Sequence, residues 1–465
     1  MTSDTSPPTL HPASFRDPAG FLYERDGVLL RQVDGSYADE YDRLLDSGLY
    51  DDLTRDGLLV PHEEVDEELA AAPGAHRVLR PQRLPFISYP YEWCPAQRRD
   101  AALLTLEIQR RALDHGMTLR DASAYNVQFR HGEATLIDTL SFGRYREGEP
   151  WVAYRQFCQH FLAPLALECH ADVRLGKLLA THIDGVPLDL ASELLPWTTK
   201  LRPALLTHIH GQARASRTRA ADVDEGGRTA RFSERATRGL VEGLASAVRK
   251  LRWDPDDTVW AGYYEEASHY SEEAMGAKAA TVADWLDELA PGTVWDLGAN
   301  TGRFSRLAAE RGAHTVAWDI DHGAVERAWR EREAVEGSGD LLPLVLDLSA
   351  PSPAIGWANA ERASLVDRGA VDVVMALALV HHLAIGNNVP LDRAAALFAD
   401  LGRHAIVEWV PKTDEKVQVL LATREDVFEH YTLADFEAAV ASFFDIRDRL
   451  ELPGGRELFL LARTT

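Results

Sequence analysis

The sequence predicts an α/β fold with a mostly parallel sheet for the C-terminal half of the chain, and two patterns indicate it. From about residue 259, apolar runs of strand length alternate with segments of helix length, which is typical of a doubly wound sheet. The runs are Thr293–Leu297, His314–Asp319, Leu344–Leu346, Val371–Ala376 and Ala405–Trp409. Two further strands, Ile446–Leu452 and Glu457–Ala462, are joined through Pro453-Gly454-Gly455, which is too short for a helical crossover. We therefore expect seven strands that end in an antiparallel hairpin.

Length and charge limit the rest of the chain. Its 465 residues predict two or three domains. The net charge of −24 argues against a general polyanion partner, so nucleic acid is not expected. Three cysteines without Cys-x-x-Cys spacing indicate a reducing compartment and no thiolate zinc site. With no signal-peptide pattern and no apolar run of about 20 residues, we expect a cytoplasmic protein with no membrane partner.

Four segments differ in composition. Residues 1–18 are rich in Ser, Thr and Pro and are expected to be flexible. Residues 19–212 predict an α+β domain that begins with a hairpin around Asp26-Gly27. Residues 213–258 predict an Arg-rich, solvated linker that ends in a helix at Leu240–Leu251; a polyanion contact is less favoured because no aromatic residues are interleaved. Residues 259–465 carry the predicted parallel sheet.

The first strand of that sheet is followed by an unusual glycine loop. The strand ends in Asp296, and Gly298, Asn300 and Gly302 then lead into a helix. This spacing differs from the G-x-G-x-x-G of dinucleotide loops. Asp296 would repel a pyrophosphate but could hold an ammonium group. The loop therefore favours a nucleoside cofactor that carries an amino acid.

Acidic residues also end the next two strands. Asp319 follows Asp296 by 23 residues, at a strand tip suited to binding two ribose hydroxyls. Asp347 ends the third strand and can accept a hydrogen bond from an adenine amino group. Any one of these residues could simply cap a helix. Three at successive strand ends beside a glycine loop favour a cofactor site.

With these motifs, the stretch from about Tyr263 to Thr465 resembles the class I S-adenosylmethionine-dependent methyltransferase family. The resemblance implies S-adenosylmethionine as the cofactor. It places Asp296 and the loop residues Gly298, Asn300 and Gly302 around the methionine part, Asp319 at the ribose and Asp347 at the adenine. Residues upstream occupy the place of a helical lid in relatives, although aromatic packing and a surface lysine would explain them equally. They are Tyr263, Tyr264, Tyr270 and Lys278.

Candidate catalytic residues follow the fourth and fifth strands. The fourth ends at Ala376, which the resemblance places in the cofactor site, and His381 and His382 follow where the family faces the transferred methyl. Either histidine could act as the base for a hydroxyl or ammonium acceptor, or one could brace the loop. Glu408, in the fifth strand, could pair with Lys412 or a substrate amine; a backbone N–H or an arginine is the alternative partner. The absence of Asn-Pro-Pro-Tyr further disfavours a nucleic-acid substrate.

The first half contains a second motif. Asp121, Asn126 and Asp138 are spaced similarly to the catalytic segment of protein-kinase-like phosphotransferases. The resemblance implies that Asp121 orients an acceptor hydroxyl and that Asn126 and Asp138 bind Mg²⁺. However, there is no glycine-rich phosphate loop and no lysine before Lys177, and Arg31 would be an imperfect substitute. We expect a kinase-like domain without phosphotransfer that positions substrate, or else an unrelated α/β domain.

Together these features predict an S-adenosylmethionine-dependent methyltransferase that acts on an oxygen or nitrogen of a small-molecule metabolite. A bifunctional kinase–methyltransferase and a non-catalytic cofactor-binding scaffold are the alternatives. We expect no metal unless the first domain is an active kinase. The identity of the acceptor and the oligomeric state do not follow from the sequence.

Overall fold

The computed structural model describes residues 7–215, 232–255, 272–332, 339–422 and 425–464. The chain divides into two compact units. The first comprises Met1–Trp253 together with Ala354–Arg362, and the second comprises Asp254–Pro353 and Ala363–Thr465. The division after Trp253 falls close to the predicted start of the C-terminal domain. The short return of the chain into the first unit was not predicted.

The first unit begins with a five-stranded antiparallel sheet in the order β1-β2-β3-β5-β4. Its strands are β1 (Thr9–Leu10), β2 (Gly20–Arg25), β3 (Val28–Asp34), β4 (His62–Val65) and β5 (Ala75–Pro81). The predicted hairpin at Asp26-Gly27 is confirmed: both residues have positive φ, 51° and 76°, and they join β2 to β3. That conformation matches the right-handed twist of the strands.

Helices and two small hairpins complete the first unit. Strands β6 (Met117–Leu119) and β9 (Phe142–Arg144) pair with each other, as do β7 (Val127–Arg130) and β8 (Glu133–Leu136). The helices are α1 (Ala38–Asp46), α2 (Leu49–Arg55), α3 (Pro95–Asp114), α4 (Tyr154–Phe157), α5 (Ala163–His170), α6 (Leu178–Thr181), α7 (Leu188–Leu194), α8 (Pro203–Leu205) and α9 (Glu234–Lys250).

Helix α9 is the helix that the sequence predicts at the end of the Arg-rich segment. It begins six residues before the predicted helix because the Ser233 side chain caps it by accepting a hydrogen bond from the Ala236 N–H at 3.3 Å. Val241, Leu244 and Val248 are buried, and the helix packs against α3. Four of the predicted linker's nine arginines, Arg217, Arg219, Arg228 and Arg231, lie outside the described residues.

The second unit contains a seven-stranded sheet in the order β12-β11-β10-β13-β14-β16-β15. The strands are β10 (Thr293–Leu297), β11 (His314–Asp319), β12 (Leu341–Val345), β13 (Val371–Ala376), β14 (Gly402–Trp409), β15 (Phe444–Leu452) and β16 (Arg456–Arg463). Strands β10 to β14 are parallel, and β16 is antiparallel to β14 and β15. The predicted doubly wound sheet with a terminal antiparallel hairpin is therefore confirmed.

One strand differs from its predicted bounds. The third run was expected to begin at Leu344, after Pro343, but β12 begins at Leu341 and contains that proline. Strand β12 lies at the edge of the sheet, with β11 as its neighbour. An edge strand tolerates proline because one of its sides does not need to donate hydrogen bonds to another strand.

Helices cover the sheet of the second unit. They are α10 (Glu272–Leu289), α11 (Arg303–Ala309), α12 (His322–Glu331), α13 (Leu391–Leu401), α14 (Glu415–Leu421) and α15 (Leu433–Ala441). Val294, Val373 and Ile406 on adjacent strands join Trp285 and Leu286 of α10 in one buried apolar cluster. This core fixes the strand ends that form the candidate site. Within the described residues, none of the helices is both long and apolar enough to cross a membrane.

Candidate active site

A cavity of about 290 Å³ in the second unit is lined by residues that follow β10, β11, β12 and β13. Strand β10 lies between β11 and β13, so the strand order reverses direction at this point. In open α/β sheets, ligands bind at such a reversal, outside the carboxyl ends of the strands. Seven predicted site residues line the cavity: Lys278, Asp296, Gly298, Asn300, Asp319, Asp347 and His382.

Other predicted site residues lie elsewhere. Gly302, Ala376, His381 and Glu408 are not among the residues that line this cavity. The predicted lid residues Tyr263, Tyr264 and Tyr270 fall outside the described residues.

The glycine loop needs its unusual backbone conformation. Gly298, Asn300 and Gly302 have positive φ values of 77°, 51° and 78°. The N–H groups of Gly298 and Ala299 donate to the Trp318 carbonyl at 2.8 and 2.9 Å, which ties the loop to β11. A Cβ at Gly298 would lie 3.1 Å from Leu379, so this glycine also permits a close approach. Gly302 turns the chain into α11.

Asp296 is buried at the end of β10. One of its oxygens accepts a hydrogen bond from the Ser305 hydroxyl at 2.6 Å. Burial raises the pKa of Asp296 to about 6, although the Ser305 hydrogen bond and the Lys278 charge oppose that rise. The cavity thus contains a carboxylate whose negative charge its neighbours Ser305 and Lys278 only partly compensate. A cationic ligand group would compensate the rest.

Asp319 has a similar position at the end of β11. Its two oxygens accept from the backbone N–H groups of Asn300 at 2.7 Å and Asp321 at 2.8 Å. Burial raises the pKa of Asp319 to about 6 despite these two bonds. Because each carboxylate oxygen can accept more than one hydrogen bond, Asp319 retains capacity for hydroxyl donors.

Asp347 follows β12 in a more open setting. Its carboxylate accepts from the Ser349 N–H at 2.9 Å and the Ser349 hydroxyl at 2.6 Å. Leu348 and Ser349 line the cavity beside it. The three acids expected at successive strand ends therefore share one cavity.

The two histidines differ in position although their rings lie only 4.2 Å apart, centroid to centroid. His382 lines the cavity, whereas His381 is 2% exposed and its Nδ1 has no hydrogen-bond partner among the described residues. Burial lowers the pKa of both rings, and the neighbouring His382 lowers that of His381 further. Near neutral pH both rings are uncharged, as a proton acceptor must be.

Several lining residues were missed from the sequence. Ala378 has a positive φ of 52°, a strained conformation for alanine, in the turn that leads from β13 towards the histidines. Asn387 lines the same region, and its side-chain amide donates to the His382 carbonyl at 3.0 Å. Ser305 supports Asp296. Asn387 stands in the stretch containing the His-His pair, but nothing in the sequence singles out Ala378 or Ser305.

Glu408 is fully buried and forms ion pairs with Lys278 and Arg456. Lys412, the partner suggested by the sequence, instead binds Asp426 at 2.9 Å. The arginine partner, the alternative prediction for Glu408, is present as Arg456.

In the first unit, the motif residues lie close together around an arginine. Asp138 forms an ion pair with Arg31 of β3 at 2.6 Å, and Arg31 also contacts Asp17 at 3.1 Å. Burial, together with the charge of Asp138, raises the pKa of Asp121, while a hydrogen bond from Asn126 opposes the rise. In the described parts of both units, no group of three or more His, Cys, Asp or Glu side chains is placed to hold a metal ion.

Comparison with known proteins gave one similarity along nearly the whole chain. The nodulation protein NoeA from Rhizobium meliloti strain 1021 is 35% identical over 462 residues, covering 97% of this chain and 95% of NoeA. No protein-family model matches the chain.

Solved structures match part of the chain at low sequence identity. Magnesium protoporphyrin IX methyltransferase from Synechocystis PCC 6803, with bound S-adenosylhomocysteine, is 21% identical and covers 41% of this chain and 84% of its own, with a TM-score of 0.30. The N-methyltransferase NodS from Bradyrhizobium japonicum WM9 is 11% identical and covers 42% of this chain and 99% of its own, with a TM-score of 0.32.

Proposed function

The chain belongs to the family of the nodulation protein NoeA, and we propose that its second unit transfers a methyl group from S-adenosylmethionine to an oxygen or nitrogen atom of a small molecule. The observation that carries the proposal is the cavity where the strand order reverses. There the glycine loop meets Asp296, Asp319 and Asp347, one acid from each of three successive strand ends.

The cavity residues suit the parts of this cofactor. Asp296 is a buried carboxylate suited to the ammonium of the methionine part, and Lys278 lines the same cavity as a partner for the carboxylate. Asp319 accepts from the ribose hydroxyls, and Asp347 accepts from the adenine amino group. When bound, the cofactor supplies an electrophilic methyl group on a sulfonium.

His382 is the proposed base because it lines the cavity and burial keeps it neutral. When the methyl group passes from the sulfonium to the acceptor oxygen or nitrogen, an imidazole nitrogen of His382 would take the acceptor's proton. His381, packed behind it, keeps that ring in place. Glu408 has both carboxylate oxygens engaged by cations, which favours a supporting role over proton transfer.

The proposed transfer is tested by incubating the protein with S-adenosylmethionine labelled in its methyl group and a small-molecule extract, then identifying the labelled product. NoeA is named for nodulation, so extracts of nodulating bacteria are one source of acceptors. We expect a labelled small molecule whose yield falls with Asp319→Ala when the cofactor is below saturation, and falls about 10²–10⁴-fold with His382→Ala. Cofactor binding without label transfer to any acceptor would favour the non-catalytic scaffold.

For the first unit we propose a kinase-like fold that positions the acceptor without phosphotransfer. The order β1-β2-β3-β5-β4, with α1 and α2 between β3 and β4, supports this, as does the clustering of Asp121, Asn126 and Asp138. The ion pair between Arg31 and Asp138 supports inactivity, because a cation occupies the carboxylate that would bind Mg²⁺.

Calorimetry with Mg-ATP separates this proposal from a bifunctional enzyme. We expect no heat of binding for the full chain. Binding that disappears in Asp138→Ala would overturn the proposal and favour a kinase–methyltransferase.

A further inference from the structure

Four charged side chains form a connected network beside the cavity in the second unit, and the proposed chemistry uses only one of them directly. They lie on separate elements: Lys278 on α10, Glu408 on β14 and Arg456 on β16, while Asp414 immediately precedes α14. Lys278, Glu408 and Arg456 are 3%, 0% and 3% exposed. Charges this well buried are costly unless each is paired.

The pairs form a chain from the protein surface to the cavity. Asp414 caps α14 by accepting from the Lys416 N–H at 2.9 Å, and it binds the Arg456 guanidinium at 2.7 and 2.9 Å. Arg456 also donates to one oxygen of Glu408 at 3.1 Å. The other oxygen of Glu408 accepts from Lys278 Nζ at 2.5 Å. Each carboxylate is therefore oriented by two separate contacts.

This arrangement fixes a side chain that is otherwise flexible. Lysine carries a compact charge on a four-carbon stem, and it loses much rotamer freedom when it is held in one place. Here Nζ is held by Glu408 and lies 4.5 Å from the centroid of the Phe304 ring, which also lines the cavity. Lys278 is thus preorganised before any ligand enters.

The fixed ammonium lies where a zwitterion can use it. Lys278 and Asp296 both line the cavity, and their charges interact, since Lys278 favours the ionised form of Asp296. An α-amino acid group presents an ammonium and a carboxylate side by side. A lysine and an aspartate in one cavity match that pattern of charge.

We propose that Glu408, oriented by Arg456 and Asp414, is a positioning residue that holds the Lys278 ammonium where it binds the carboxylate of the cofactor's amino-acid part. The inference rests on the proposed function. It assigns a role to the C-terminal hairpin, because Arg456 at the start of β16 reaches the cofactor cavity through two side chains.

The test compares two ligands by isothermal titration calorimetry. S-adenosylhomocysteine carries the amino-acid group, whereas 5′-methylthioadenosine lacks both its carboxylate and its ammonium. The proteins are wild type, Lys278→Met, Glu408→Gln, the double variant of these two, and Arg456→Lys. Glu326→Gln serves as the control, because Glu326 is equally buried and pairs with Arg330 but does not line the cavity.

We expect Lys278→Met and Glu408→Gln each to raise the Kd for S-adenosylhomocysteine about tenfold, as for one lost charge-assisted hydrogen bond. The double variant should bind as Lys278→Met does, because Glu408 acts through Lys278. The Kd for 5′-methylthioadenosine should stay at the wild-type value in every variant. Glu326→Gln should bind both ligands as wild type does.

A wild-type Kd in Glu408→Gln, equal weakening of both ligands, or effects that multiply in the double variant would each overturn the inference while leaving the proposed function intact. If Glu408→Gln does not fold, Arg456→Lys decides instead, with a selective loss of S-adenosylhomocysteine affinity expected and equal losses contradicting it. If wild type binds neither ligand, it is the proposed function that fails.

Discussion

The ionised side chains of Asp296 and Asp319 in the cavity lower the stability of the folded protein. Burial raises the pKa of each to about 6, so ionisation is harder in the folded state than in the unfolded chain. For such a group, the free energy of unfolding falls as the pH rises from about 4 to about 6, and the full cost is present above pH 6. A bound cation would remove this cost.

Asp296→Asn should therefore stabilise the ligand-free protein. At pH 7 we expect the free energy of unfolding to rise by about 1–2 kcal/mol, because the buried charge is removed while an amide oxygen can still accept from Ser305. The gain should vanish at pH 4, where Asp296 is protonated. Urea unfolding at both pH values measures it. Asp287→Asn, which removes an exposed carboxylate paired with Arg311, is the control and should give no gain.

The same two acids predict a pH dependence of cofactor binding. In the proposed site S-adenosylhomocysteine binds the ionised forms, so its Kd should be constant above about pH 7 and rise as the pH falls below about 6. Calorimetry between pH 5 and pH 8 checks this. A Kd that does not change across that range would contradict the assignment of both acids.

Site residues that can be located from their place next to a predicted strand were found from the sequence. Partners that meet only because distant parts of the chain pack together were not. Asp296, Asp319 and Asp347 could be found because each lies at or just after the carboxyl end of a recognisable strand. Arg456 could not, because 48 residues separate it from Glu408 and only strand pairing brings them together. Lys412 was the wrong partner for Glu408 because nearness along the chain does not ensure contact.

Among the elements of the site, the glycine loop depends most on an unusual backbone conformation. Gly298 and Gly312 both have strongly positive φ, 77° and 87°. A Cβ at Gly298 would press on Leu379, whereas one at Gly312 would meet no atom within 4 Å. Replacing Gly312 by alanine therefore tests only the effect of a side chain at positive φ. Replacing Gly298 tests that effect together with the contact on Leu379.

We expect Gly298→Ala and Gly312→Ala each to lower the free energy of unfolding by about 1–2 kcal/mol, since alanine is strained at positive φ. Only Gly298→Ala should weaken S-adenosylhomocysteine binding. Thermal unfolding and calorimetry on both variants provide the comparison. Equal binding by the two would mean that the loop conformation is not needed for the cofactor.

Element type followed from the sequence more reliably than element boundaries. Apolar runs alternating with helix-length segments predicted the five parallel strands, and the short connection at Pro453-Gly454-Gly455 predicted the terminal hairpin. Strand β12 and helix α9 began earlier than expected, one because an edge position accepts Pro343 and the other because Ser233 provides a cap. The edge position depends on the order of the strands, which a short window of sequence does not show, whereas the Ser233 cap is a local signal that the spacing of apolar residues does not include.

At the scale of the whole molecule, the chain enters the first unit twice. Residues 354–362 lie between β12 and β13 in sequence but belong to the first unit. There the buried Glu361 binds Arg16 at 2.8 and 3.0 Å, and the Arg362 guanidinium lies 4.5 Å from the centroid of the Tyr125 ring. Tyr125 precedes Asn126 of the kinase-like motif, so this return segment packs beside that motif.

Arg16→Ala should loosen the return segment by leaving Glu361 buried without its main partner. We expect local stability to fall by about 1–3 kcal/mol, measured as faster hydrogen–deuterium exchange of amides in residues 354–362. Arg174→Ala, which removes an exposed pair with Asp172, should leave that exchange unchanged. Unchanged exchange in Arg16→Ala would show that the pair does not hold the segment.

The decisive measurement is calorimetric titration with S-adenosylhomocysteine, because the three acids and the glycine loop are proposed to bind S-adenosylmethionine. Wild type should bind one equivalent, and Asp319→Ala should weaken binding by about 1–3 kcal/mol through lost charge-assisted hydrogen bonds. Absence of binding by the folded wild-type protein, or binding unaffected by Asp319→Ala, would contradict that proposal.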